Sequence, residues 1–190
     1  MTVRIAVEGT SGHYFVTTQG EVSMNNALIG LIATIIGAIL GAILNEAYKR
    51  HRDAVATAAA LAGELSSYLP AFVALDNSLP VLIDRVEHGD PLNIPEQAPP
   101  TDTAFEAYVD KIGLLGSQQA EQVAYVYGQV RGFRSAFFPL TRRGEKFDAV
   151  YVTAALRVAH MFSQNANRHA EPLITALQER ANRSFWLFWR

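Results

Sequence analysis

The chain contains no cysteine, which excludes disulfides, cysteine-ligated zinc, iron–sulfur clusters and a thiol nucleophile together. Charge is scarce as well: 18% of residues are Asp, Glu, Lys or Arg, and a formal net charge of −2 leaves no basic footprint for nucleic acid. Positive charge is missing altogether from one long stretch, since no Lys or Arg stands between Ile5 and Tyr48. Catalytic signatures are missing too: there is no Gly-rich phosphate loop, no G-x-S-x-G elbow and no H-E-x-x-H. His13, His51, His88, His160 and His169 are scattered. His160 and His169 lie nine residues apart on different faces of one helix, which argues against a shared metal. Glu64, Asp84, Glu87, Glu145 and Asp148 have the spacing of ordinary solvated helix positions. These absences predict no catalytic residue, no cofactor, no metal and no enzymatic activity.

What the chain does have is Ala27 to Leu44, ALIGLIATIIGAILGAIL, eighteen residues without a charge and with Thr34 as the one polar side chain. As a helix it covers roughly 27 Å, close to the hydrocarbon thickness of a bilayer. The overall hydrophobic content of 49% is high because of this segment, and the remainder has a globular composition. A buried core helix of a soluble bundle normally keeps a polar stripe, and this run has none. A cleaved signal peptide needs positive charge before its apolar region, whereas here Lys49, Arg50 and Arg52 follow it. The run therefore reads as a single transmembrane helix. Its basic end lies in the cytoplasm and its amino terminus outside, the arrangement of an inner (cytoplasmic) membrane protein.

Gly30, Thr34, Gly37 and Gly41 fall at helical spacing on one face of this run, and Gly37 to Gly41 is a G-x-x-x-G pattern. Small residues let two helix backbones approach closely in lipid, so this face is the expected oligomer interface. Ahead of the run, residues 1–23 form an extracytoplasmic segment. Val3, Ile5 and Val7 alternate with polar neighbours, a turn follows at Glu8–Gly12, and the β-favouring run Tyr14–Thr18 ends at Gln19-Gly20. That is the pattern of a short β-hairpin. Met24 offers a second reading, in which residues 1–23 are a translated leader.

After the span (residues 24–48), residues 49–190 read as a cytoplasmic helical bundle, making the fold class all-α. No helix breaker separates the span from Asn45–Leu69, so one helix of about forty residues is expected, roughly 60 Å long. Its apolar stripe is Ala54, Ala58, Leu61, Leu65, Tyr68 and Leu69. Pro70 should interrupt it, with Asp76-Asn77-Ser78 capping a new helix from Leu79 to His88 that Gly89-Asp90-Pro91 ends. A proline-rich loop spans 89–102, with four prolines among residues 91–100. Thr103 and Glu106 form a T-x-x-E capping box for a helix over Ala104–Ile112, stopped by Gly113. Ser117 caps a helix to about Phe138 with Val123, Tyr127, Val130, Arg134 and Phe137 inward. The last helix starts near Glu145 with Phe147, Val150, Tyr151, Ala154, Val158, Met161, Phe162 and Asn165 on one face, and Pro172 kinks or restarts it.

The corner Tyr108-Val109-Asp110-Lys111-Ile112-Gly113-Leu114-Leu115, leading into Val123-Ala124-Tyr125-Val126-Tyr127 behind a single span with basic residues just inside, carries a resemblance. This layout over residues 24–138 is similar to small single-span prokaryotic and phage membrane proteins of uncharacterised function. The resemblance implies no activity and no active-site residues.

Two further features concern the membrane. Arg131, Arg134, Arg142, Arg143 and Lys146 cluster around one helix–helix turn, read as a solvated end or as a contact for acidic headgroups or an acidic partner. The terminus Arg183-Ser184-Phe185-Trp186-Leu187-Phe188-Trp189-Arg190 carries both tryptophans of the chain. Aromatics flanked by arginine suit the membrane interface, where Trp186 and Trp189 join Lys49, Arg50 and Arg52, and they suit a packed core as well. The expected protein is a membrane-anchored, self-associating helical interaction module whose partners are lipid, further copies of itself and a protein the sequence does not name. The alternative is a membrane-perturbing effector, toxin-like or acting in phage defence, whose associated spans open a pore.

Overall fold

The computed structural model describes residues 19–90, 94, 95, 98, 100–142 and 147–185, with side chains from residue 26 onward. Every regular element among them is helical. In order these are α1 (Gln19–Glu87), α2 (Thr103–Tyr108), a 3-10 segment Val109–Leu115, α3 (Ser117–Phe137), a 3-10 turn Phe138–Thr141 and α4 (Ala149–Ala181). The expected hairpin falls on residues outside the described set, except that Gln19 and Gly20, read as its end, already belong to α1. The chain divides between Glu46 and Ala47 into two units.

In the first unit every side chain from residue 26 to 44 is exposed, and its leucines and isoleucines keep 50–65% of their surface open. A core helix of a soluble bundle buries its apolar side chains, but none of this window is buried. Among the described residues this is the one helix long and apolar enough to cross a membrane, by length and composition.

The second unit builds its core from the rest of α1 with α2, α3 and α4. Alanines at 54, 58 and 62 with Leu61 and Leu65 are buried along α1, as the stripe predicts, and Tyr68 and Leu69 pack at its margin. Ala58, Leu61, Ala62 and Leu65 meet Phe105, Val123, Tyr127, Leu173 and Leu177, while Leu79 and Val86 meet Phe133, Phe137, Val152 and Leu156. On α3 the expected inward positions are buried, with Arg134 largely so, and Val126 and Phe133 join them.

Pro70, expected to interrupt the first helix, and Pro172, expected to kink or restart the last, both stand inside continuous helices. Pro80 likewise lies inside α1. Each removes one backbone hydrogen bond, but all three are exposed, so the carbonyls they free face the solvated side of the helix. The buried neighbours Phe72, Leu79 and Leu173 hold the helix together on the opposite side. Asp76 consequently caps nothing. Its carboxylate accepts from Ser163 Oγ at 3.0 Å and Asn167 Nδ2 at 2.7 Å, joining α1 to α4. Helix α1 ends where Gly89 suggests. Its φ of +87° lets Gly89 N–H reach Val86 O and Asp90 N–H reach Arg85 O, each at 3.0 Å, the paired bonds of a Schellman stop.

The largest departure is on α4. Of the expected inward face, Val150, Tyr151, Ala154, Val158 and Met161 are exposed, and Phe147, Phe162 and Asn165 are half-buried. The buried face is Val152, Leu156, Ala159, Ser163, Ala166, Ala170, Leu173 and Leu177. Its middle, Ala159, Ser163, Ala166 and Ala170, is all small residues, and the one bulky ring beside it that packs inward, Phe162, does so where Gly132 of α3 leaves room: a Cβ there would stand 2.6 Å from that ring. Backbone proximity therefore selects the small face over the bulky one. Leu156→Ala should cost about 2–5 kcal/mol and Val158→Ala less than about 0.5 kcal/mol. Urea unfolding of the detergent-solubilised protein, followed by circular dichroism, measures both, and the reverse ranking would restore the bulky face to the core.

Candidate functional site

The densest polar arrangement in the second unit surrounds the entry to α2. Glu64 and Tyr68 are one turn apart on α1, while Tyr127, Arg131 and Arg134 follow one another along a face of α3. Between them runs the segment Thr101–Phe105. Glu64 Oε1 accepts from Ala104 N–H at 2.8 Å, and its Oε2 accepts from Phe105 N–H at 3.2 Å and from Tyr127 Oη at 2.6 Å. Ala104 and Phe105 stand in the first turn of α2, where amide groups have no partner within the helix. A carboxylate there also meets the positive end of the helix dipole.

This arrangement replaces the expected T-x-x-E box. The residue preceding the helix is Asp102, which makes no side-chain cap, and the missing acceptor comes from Glu64. Glu64 is therefore half-buried and fully engaged rather than a solvated helix position. The next corner shifts similarly. Gly113 lies inside the 3-10 segment, and the left-handed glycine is Gly116 at φ +96°, which occupies the cap position assigned to Ser117.

Asp102 is buried, and two guanidinium groups offset its charge. Arg131 Nε donates to Oδ2 at 3.2 Å, and Arg134 Nη2 lies 2.7 Å from Oδ1 as an ion pair off the hydrogen-bond angle. The Arg131 guanidinium also stacks 4.8 Å from the Phe105 ring centre, and Tyr68 Oη donates to Thr101 O at 2.8 Å. Two arginines of the expected basic cluster are thus turned onto an internal carboxylate. Arg142 is exposed, and Arg143 and Lys146 lie outside the described residues. Burial, then the Glu64 hydrogen bond, push the Tyr127 phenol far above its ordinary range; burial followed by the charges of Glu64 and Asp102 raises Tyr68. Both phenols stay protonated and serve as donors.

Beside this cluster lies a cavity of about 330 Å³ lined by Tyr68, Phe72, Val130, Phe133, Arg134 and Phe137 among others. The adjoining carboxylates, guanidinium groups and phenols bond to one another. Their arrangement clamps the entry of α2 between α1 and α3.

The other sequence candidates lie elsewhere. Gly30, Thr34, Gly37 and Gly41 are exposed; a Cβ added at any of the three glycines meets nothing within 4 Å, and Thr34 Oγ1 donates back to Gly30 O at 2.8 Å. Lys49, Arg50 and Arg52 are exposed at the start of the second unit, and Trp186 and Trp189 lie outside the described residues. His169 sits against Tyr125, and among the described residues no three His, Cys, Asp or Glu gather as a metal site. No protein-family model, curated protein or solved structure matches the chain.

Two outcomes test the clamp. Glu64→Ala leaves two amides and a buried phenol without their acceptor, at a cost of about 1–3 kcal/mol, and hydrogen exchange should speed up selectively at Ala104 and Phe105. Alkaline pH provides the second. Because Tyr127 and Tyr68 have raised values in the folded chain, the unfolded chain ionises first. Stability is full below about pH 10 and falls as pH rises above it. Thermal unfolding across that range should show the fall, and Tyr127→Phe should flatten it.

Proposed function

We propose that the protein is a membrane-anchored, self-associating helical interaction module without enzymatic activity. Its amino terminus lies outside the inner membrane, and its second unit, a helical bundle, lies in the cytoplasm. The observation that carries this reading is the run Ala27–Leu44, whose apolar side chains are exposed and find no partner among the described residues. Lipid supplies the missing solvent, and the basic residues Lys49, Arg50 and Arg52 after the run supply the orientation. Self-association is supported by the open face at Gly30, Thr34, Gly37 and Gly41, where a Cβ added at any of the three glycines meets nothing within 4 Å among the described residues. The Thr34 hydroxyl bonds within its own helix, so this face offers no polar lining, and the observations favour packing over a pore.

The second unit supports the interaction half of the reading. Its largest polar cluster is held by contacts among its own members, while Val150, Ala154, Val158 and Met161 form an exposed apolar stripe along α4. Single exposed apolar residues are ordinary on a protein surface, but a continuous stripe marks a face for a partner. Crosslinking in native membranes tests the self-association. Wild-type protein should give an oligomeric band that Gly37→Leu and Gly41→Leu together abolish. An unchanged band, or none in the wild type, would defeat the proposal.

A further inference from the structure

The cavity beside the α2 clamp has an aromatic wall. Phe133 and Phe137 stack with ring centres 5.2 Å apart, and Phe138 stands edge-on to them at 6.4 and 5.8 Å respectively. The three rings brace one another, so the wall is already formed for an incoming apolar group. From α1, Ala71, Ala74 and Ser78 line the same space at helical spacing, and all three are exposed. Side chains this short leave a gap between α1 and α3, where a protein interior is otherwise close-packed. The volume of about 330 Å³ lies near the lower end of the range for small-molecule sites, about 300–1,000 Å³. It suits a ligand of a single ring.

Among the described residues that line the cavity, Arg134 alone is charged. Its side chain is 15% exposed, and its Nε finds no hydrogen-bond acceptor among the described residues. The clamp does not depend on that donor. Asp102 accepts from Arg131 and pairs with Arg134 through Nη2, while Glu64 is held by two amides and Tyr127. Two guanidinium groups against the single carboxylate of Asp102 leave positive charge in surplus at the edge of the cavity. A buried N–H without an acceptor has lost its hydration and gained nothing in return. We propose that the cavity binds a small aromatic carboxylate, its ring against the phenylalanine wall and its carboxylate on Arg134. A guanidinium group matches a carboxylate in both charge and planar donor geometry. A second anionic group on the ligand would find no further cation among the described lining residues.

The detergent-solubilised full chain is titrated with para-fluorophenylacetate and followed by fluorine NMR, with protein-free micelles as the blank. Binding should saturate above the blank, and uncharged para-fluorophenylacetamide should bind at least about tenfold more weakly. Ala74→Phe changes an exposed residue outside the clamp. Its ring should fill the cavity and weaken carboxylate binding at least about tenfold. Arg134→Gln should lower the affinity for the carboxylate to that for the amide and leave the amide unaffected. If Arg134→Gln does not fold, the amide comparison and Ala74→Phe still decide. No saturable binding, equal affinity for carboxylate and amide, or either variant binding the carboxylate like wild type would overturn the proposal.

Discussion

Three donors from two other elements converge on the carboxylate of Glu64, and the way the second unit closes depends on that convergence. Helix α2 has six residues, far fewer than a helix needs to persist in water. It holds its place because its first-turn amides find an acceptor on α1 and its Phe105 ring packs 4.3 Å from Tyr127 on α3. Asp102, one residue before the helix, takes the two arginines of α3 from the other side. Opposite charges on both sides of a short helix entry leave few alternatives for the chain emerging from the proline-rich loop. Removing one partner from such a network leaves the others desolvated and unmatched, which makes it strongly specifying.

Two carboxylates, two guanidinium groups and two phenols beside an apolar cavity resemble a site until each bond is assigned. Glu64 then has three donors, Asp102 has two cations, and the tyrosines are donors held protonated. The cluster acts as a clamp. The large exposed surface is apolar: the Ala27–Leu44 run in one unit and the α4 stripe in the other. Apolar surface of this extent is the kind that lipid or another protein covers.

The parts legible in the sequence are those set by one element's own pattern. The apolar run, the α1 stripe, the inward positions of α3 and the Gly89 stop all follow from local periodicity or backbone freedom. What was not legible depends on partners. Glu64 flanks Leu61 and Leu65 at the edge of a recognisable stripe, but its acceptors' partners stand forty residues away in Ala104 and Phe105. The i, i+4, i+7 placement of Tyr127, Arg131 and Arg134, beside the inward residues Val123 and Val130, was the available signal for a buried polar seam. The prolines misled because sequence shows the lost hydrogen bond and hides which side of the helix is wet.

Helix α4 shows how a periodic pattern can be read correctly and assigned to the wrong side. Two apolar stripes of helical spacing run along it, and the bulkier one is the natural choice for a core if burial area alone decides. Packing between long helices also rewards close backbone approach, and Ala159, Ser163, Ala166 and Ala170 allow it where Val158 and Met161 would not. Once the small face is inside, the bulky face is fixed outside. Alanines on α1 and α4 mark where these helices come together. On α4 the small residues mark the contact better than the large ones do.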